Sequence, residues 1–200
     1  MRVLSYVDLA GPLERSGITS AVEHHRAALA DQPVEVLTDG VTVDRLGRIV
    51  TGRRPEVDLI HTHLFGPGSI ALRAMARRTD VPMVCHAHVT REDFRGSFRG
   101  SDLLAGPLGW YLKRWYDGAD LVLTPSSYTR ELLRSYPVEA PIEVVSNGVD
   151  LASLDGFEDL REAYRERYDL SGTVVFAVGN VFERKGLSTF CRVAERRPDL

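Results

Sequence analysis

Cysteine and lysine are scarce in this chain. Cys85 and Cys191 are the only cysteines among 200 residues, one in a strand-like run and the other in a helix-like one. Two such distant thiols exclude a disulfide framework and predict free, buried cysteines in a reducing compartment. Lysine is confined to Lys113 and Lys185, so arginine carries almost all the positive charge. The net charge of −3 leaves no basic surplus, and bulk electrostatics therefore predict no nucleic-acid partner. No apolar run approaches the roughly 20 residues that span a bilayer. Met1-Arg2 leads straight into a short strand-like run, without the long apolar region of a secretory signal. These absences predict a cytoplasmic protein whose membrane contact would be peripheral, at the inner face of the cell membrane.

The composition itself is ordinary, 44% hydrophobic and 26% charged, enough for a buried core. Short apolar runs alternate with helix-period segments. Arg2–Val7, Val34–Leu37, Val57–His61, the run after Pro82, Leu121–Thr124 and Ile142–Val145 read as strands. Ile18–Ala30, Ile70–Arg78 and Ser127–Tyr136 read as helices, the last capped by Ser126 or Ser127. Gly11–Gly17 is a Gly/Pro/Ser loop opening the first helix, and Thr38–Pro55 is a polar segment with room for a hairpin at Gly47. This alternation predicts an α/β fold, a doubly wound parallel sheet over residues 1–150.

Residues 151–172 are charged and helix-prone, a connection rather than a domain. Thr173–Val178 then reads as a strand that begins a further strand–loop–helix unit over residues 173–200. One strand and one helix cannot bury both faces, so this segment reads as the start of a second α/β domain, incomplete in this sequence.

The richest stretch is Pro82–Gly100. An apolar strand there ends in His86-Ala87-His88, and Thr90, Arg91, Glu92, Asp93, Arg95, Ser97 and Arg99 follow, broken only by Phe94 and Phe98. At strand spacing His86 and His88 point to one side. A strand that ends in polar groups is where an open α/β sheet binds ligands. The plainer alternative is a solvated loop with a satisfied histidine pair.

Five blocks resemble family 4 glycosyltransferases, enzymes of the two-domain GT-B architecture. They are Ser16-Gly17-Ile18, Asp58-Leu59-Ile60-His61-Thr62-His63, Leu123-Thr124-Pro125-Ser126, Ser146-Asn147-Gly148-Val149-Asp150, and the run Val178-Gly179-Asn180-Val181-Phe182-Glu183-Arg184-Lys185-Gly186. The His86–Phe98 stretch is similar to enzymes that glucosylate diacylglycerol or glucosyl-diacylglycerol. The resemblance implies the amino-terminal, acceptor-side portion of a transferase. Such an enzyme moves a sugar from a nucleotide sugar, here taken as a UDP-sugar, to a lipid or glycan hydroxyl. It implies retention of configuration, no cofactor and no metal.

By the same resemblance His88 is the active-site histidine, Gly17 lets the backbone approach the donor phosphate, and Lys185 neutralises the diphosphate. Asn180 stands where the family usually has arginine, and Arg184 beside Lys185 is the substitute charge. His86, Glu92, Asp93 and Arg95 are assigned to the acceptor. The family's paired-glutamate motif would lie past Leu200, so the 200-residue chain alone is expected to be inactive.

Two other readings stay open. One is a sugar- or nucleotide-binding domain that partners a separate catalytic chain. The other is a metal hydrolase, since His61, His63, His86 and His88 form two H-x-H pairs at the ends of probable strands. For His61 and His63 hydrogen-bonded support is preferred, and His24 and His25 are assigned to the surface. Trp110, Tyr111, Trp115 and Tyr116, beside Lys113 and Arg114, suit either core packing or a membrane interface.

Overall fold

A computed structural model describes residues 1–8, 16–39, 56–96, 100–179 and 185–197. Six strands form: β1 (Arg2–Tyr6), β2 (Glu35–Asp39), β3 (Leu59–Thr62), β4 (Met83–His86), β5 (Leu121–Thr124) and β6 (Ile142–Val144). Helices α1 (Gly17–Ala28), α2 (Pro67–Thr79), the short α3 (Arg91–Phe94), α4 (Ser101–Tyr116) and α5 (Ser127–Ser135) lie between them in the chain. Two 3-10 turns (Leu151–Leu154 and Phe157–Leu160), α6 (Arg161–Arg167) and α7 (Leu187–Arg196) follow.

Every strand pair is parallel, and the order across the sheet is β2-β1-β3-β4-β5-β6. Parallel neighbours need long crossovers, which helices supply, so the sheet is covered on both faces as in doubly wound α/β proteins. Burial follows position in the sheet. All four residues of central β4 are buried, whereas edge strand β6 is largely open. Ile60, Leu72, Leu112, Val122 and Leu133 have no exposed surface at all and form the middle of the core with Met75, Met83, Trp115 and Tyr116.

Local chemistry fixes the helix starts. Ser16 caps α1 by accepting from the Thr19 N–H, and Ser126 caps α5 by accepting from the Thr129 N–H at 3.2 Å. Of the two caps allowed for the latter helix, Ser126 is the one used.

The chain divides into two compact units, residues 1–91 with 106–148, and residues 92–105 with 149–200. The first holds the whole sheet. In the second, Thr173–Val178 is not a strand. The run has the composition of one, but a strand exists by pairing its N–H and C=O groups with a neighbour, and no described residue pairs with it. Phe176 and Val178 are accordingly exposed. Cys85 is buried as expected, but Cys191 lies on an exposed face of α7. The proposed hairpin around Gly47 and most of the Gly11–Gly17 loop lie outside the described residues. No described helix is long and apolar enough to cross a membrane.

Candidate functional site

From β1 the chain runs through α1 to β2 on one side, and β3 then joins β1 on the other. That reversal between β1 and β3 is the switch point at which open α/β sheets leave a crevice beyond their carboxyl ends. Five histidines gather there. His61 is in β3 and His63 just after it, His86 ends β4 with His88 two residues on, and His25 comes from α1. Ring centroids are 4.1 Å apart for His61–His63 and for His86–His88, and 5.1 Å for His25–His86.

A hydrogen-bonded row links part of the cluster. Ser5 Oγ lies 3.1 Å from His63 Nε2, and His63 Nδ1 lies 3.1 Å from His88 Nε2. His25 Nε2 is 3.2 Å from the Ser146 carbonyl oxygen, which can only accept, so this nitrogen carries the proton. Other ring nitrogens are buried without a partner: both of His86, Nδ1 of His25 and Nε2 of His61.

Burial sets the electrostatics. Desolvation is the largest influence on each shifted ring, and the neighbouring imidazoles add to it, because a charged ring would face other rings across little water. His61 is lowered to about 3, with His25 and His88 contributing after burial. His86 is lowered to about 2 by burial and then by His88, His61 and His25. His63 is lowered further by the same causes. His88 is lowered to about 4, by burial and then by His25. At neutral pH these four rings are therefore uncharged, each with one donor and one acceptor. Such a surface suits sugar hydroxyls or a cation with a taste for nitrogen, and it offers no positive charge to a phosphate.

Asp8, just past β1, shapes the same edge. Its carboxylate accepts from the N–H groups of Gly66 (2.9 Å), Gly68 (3.0 Å) and Ser69 (3.3 Å), and also from the Ser69 hydroxyl and the Tyr6 hydroxyl (3.2 Å). It thereby caps α2 from another element, which is favourable at a helix's positive end. A Cβ at Gly68 would overlap the Tyr6 phenol oxygen, so only glycine fits under that ring. Burial, followed by the Asp8 charge, raises the Tyr6 phenol to about 12.

Of the residues assigned from sequence, the structure joins His86 and His88 in one cluster. Gly17 opens α1, and no described atom lies within 4 Å of where its Cβ would be. Its φ is not in the left-handed region, so nothing described within the chain demands glycine there. Glu92 and Asp93 lie in α3 and Arg95 just after it, all three in the second unit, as is Lys185. Lys185 is exposed, with its side chain 3.8 Å from the position of a Gly179 Cβ. Asn180 and Arg184 lie outside the described residues.

His25 corrects the surface assignment. It is only partly exposed and stacks within the cluster. The signal was present: positions 18, 22 and 25 follow the i, i+4, i+7 spacing, so His25 continues the face of Ile18 and Val22. Ser5 and Asp8 carried no such signal.

The aromatic segment of α4 divides by face. Leu112, Trp115 and Tyr116 are core residues, whereas Trp110 is 63% exposed with the Arg114 guanidinium 4.6 Å from its ring. Between α2 and α4 runs a groove of about 930 Å³ that Arg73, Arg77, Lys113 and Arg114 line with Trp110 and Tyr111.

Residues 16–153 match the model of Glycosyltransferase Family 4. The processive diacylglycerol alpha-glucosyltransferase of Acholeplasma laidlawii is 32% identical over 203 residues, covering 100% of this chain and 56% of that protein. The alpha-monoglucosyldiacylglycerol synthase of Streptococcus pneumoniae is 28% identical over 113 residues, 56% of this chain and 25% of that protein. The chain thus spans little more than half the length of the longer-matched relative. A crystal structure of a glycosyltransferase from Rickettsia africae superposes with a TM-score of 0.50 and 15% identity, covering 86% of this chain and 50% of that one. At that identity the likeness concerns the fold. With more than half of its length matched, the chain belongs to glycosyltransferase family 4.

Proposed function

We propose that this chain is the acceptor-side part of a hexosyltransferase that moves a sugar from a nucleotide sugar to a lipid or glycolipid hydroxyl. Diacylglycerol or its glucoside is the favoured acceptor. Family membership supports the transfer chemistry, and the names of the two relatives support the lipid acceptor. The single observation that carries the reading is the imidazole cluster at the sheet's switch point, in which the partly exposed His88 is hydrogen-bonded to His63.

In this reading the donor is a UDP-sugar, transfer retains the anomeric configuration, and no metal takes part. The neutral His88 acts as a hydrogen-bond partner of the transferred sugar, held in place by its bond to His63. His86, Glu92, Asp93 and Arg95 meet the acceptor. The charge that develops on the departing diphosphate is matched elsewhere, by Lys185, Arg184, Asn180 and the N–H groups at Gly17, because the depressed imidazoles stay uncharged. Trp110 and Arg114 give α4 an amphipathic face suited to the headgroup level of a bilayer.

The test is transfer of labelled glucose from UDP-glucose by a protein carrying this chain at the relatives' length. Vesicles holding diacylglycerol should yield a glucolipid, and the 200-residue chain alone should not. Transfer confined to water-soluble acceptors would overturn the lipid assignment.

A further inference from the structure

We infer that His25, His63 and His86 form a binding site for a divalent transition-metal ion of the zinc class. These three rings, from α1, the end of β3 and the end of β4, each offer one nitrogen within 4.8 Å of the others. A tetrahedral centre with metal–nitrogen bonds of about 2.0 to 2.1 Å spaces its ligand atoms by about 3.3 Å. Ring rotations that close each gap by at most about 1.5 Å would therefore complete the set, a small change for side chains.

The independent observation is the state of the nitrogens. His86 is 2% exposed, yet neither of its ring nitrogens has a partner, and Nδ1 of His25 is buried and unpartnered as well. Buried polar groups without partners are rare and costly, and an ion bound among these three rings would satisfy those of His86 and His25. Two of the partners that do exist are of the kind that surround a metal site. His25 donates Nε2–H to the Ser146 carbonyl oxygen, which leaves the Nδ1 lone pair free. His63 has Ser5 Oγ on its Nε2. Carbonyl and hydroxyl groups that fix the tautomer of a histidine in this way are the usual outer ring of such sites. An all-nitrogen set favours zinc, cobalt, nickel or copper over magnesium or calcium, which take oxygen ligands.

Binding does not depend on the transferase reading, though the two meet at one place. A metal drawing in His63 and His86 would compete with the His63–His88 hydrogen bond, so under that reading the ion inhibits transfer rather than assisting it.

The experiment uses the full chain freed of metal with a chelator. Cobalt(II) titration should give the visible bands of a four-coordinate centre at one ion per chain, and zinc should displace it stoichiometrically. His25→Ala should weaken zinc binding at least tenfold, and His86→Ala should abolish the cobalt bands, while His24→Ala, outside the set, should change neither. His25 is partly exposed, so its variant keeps the test valid if His86→Ala fails to fold. Absence of one-to-one binding, or binding unchanged in His25→Ala and His86→Ala alike, would overturn the inference.

Discussion

Acid should unfold the sheet-bearing unit well before ordinary carboxylate titration. Four rings are lowered in the fold, His88 to about 4, His61 to about 3, His86 to about 2, and His63 further. Unfolded, each regains the ordinary value near 6.5. Between these limits the unfolded chain binds more protons than the folded one, so stability is full above the unfolded value and falls as pH drops below it. The loss eases near pH 4, where His88 titrates in the fold, and continues below it for the three rings held lower. From pH 7.5 to 5.5 each ring that must stay neutral costs about 1.4 kcal/mol. Four rings give about 5 to 6 kcal/mol, comparable to the whole stability of a marginal domain. That figure is a ceiling, because His61 and His88 keep some contact with water.

Urea melts at the two pH values, read by tryptophan fluorescence in the presence of chelator, measure it. Trp110 and Trp115 both belong to the first unit. The midpoint should fall steeply at the lower pH, and His86→Gln, which removes one titrating ring, should cut the slope with pH by about a quarter. A midpoint that does not move over this interval would refute the claim that the rings are held neutral.

Three further outcomes follow from particular contacts. Gly68→Ala should cost about 1 to 3 kcal/mol by forcing the Tyr6 phenol off Asp8, and an unchanged urea midpoint would contradict that packing. Trp110→Ala with Arg114→Glu should weaken sedimentation with anionic vesicles while leaving the thermal midpoint within a few degrees, since Trp110 is exposed; equal sedimentation would remove α4 as the membrane face. Lys185→Ala in the longer protein should raise the KM for the nucleotide sugar with little effect on folding, because Lys185 is exposed; an unchanged rate at low donor concentration would exclude it from the diphosphate.

Much of the fold was legible because its strands are short apolar runs set off by Pro82, Pro141 and serine-capped helices, signals that act locally. Thr173–Val178 shows the limit. Its residues favour a strand, but pairing is a property of two segments, and the second is not visible in the first. The candidate site divides in the same way. His86 and His88 announced themselves by strand spacing, and His25 could have been recovered from helical period. Ser5 and Asp8 could not, since their roles depend on register between β1 and β3, which places Ser5 beside His61. The exposure of Cys191 likewise followed from tertiary packing, since no residue of α7 is buried among the described residues.

The most direct test of the central claim, that the imidazole cluster is a sugar-transfer site, is steady-state kinetics of His88→Ala in the longer protein, with donor and acceptor varied independently. The account predicts turnover reduced by roughly 10²-fold or more, the scale of a positioned catalytic group. Because the mutated ring is uncharged at neutral pH, the KM for the nucleotide sugar should change little. Near-normal turnover, or a loss that appears only as weaker donor binding, would contradict it.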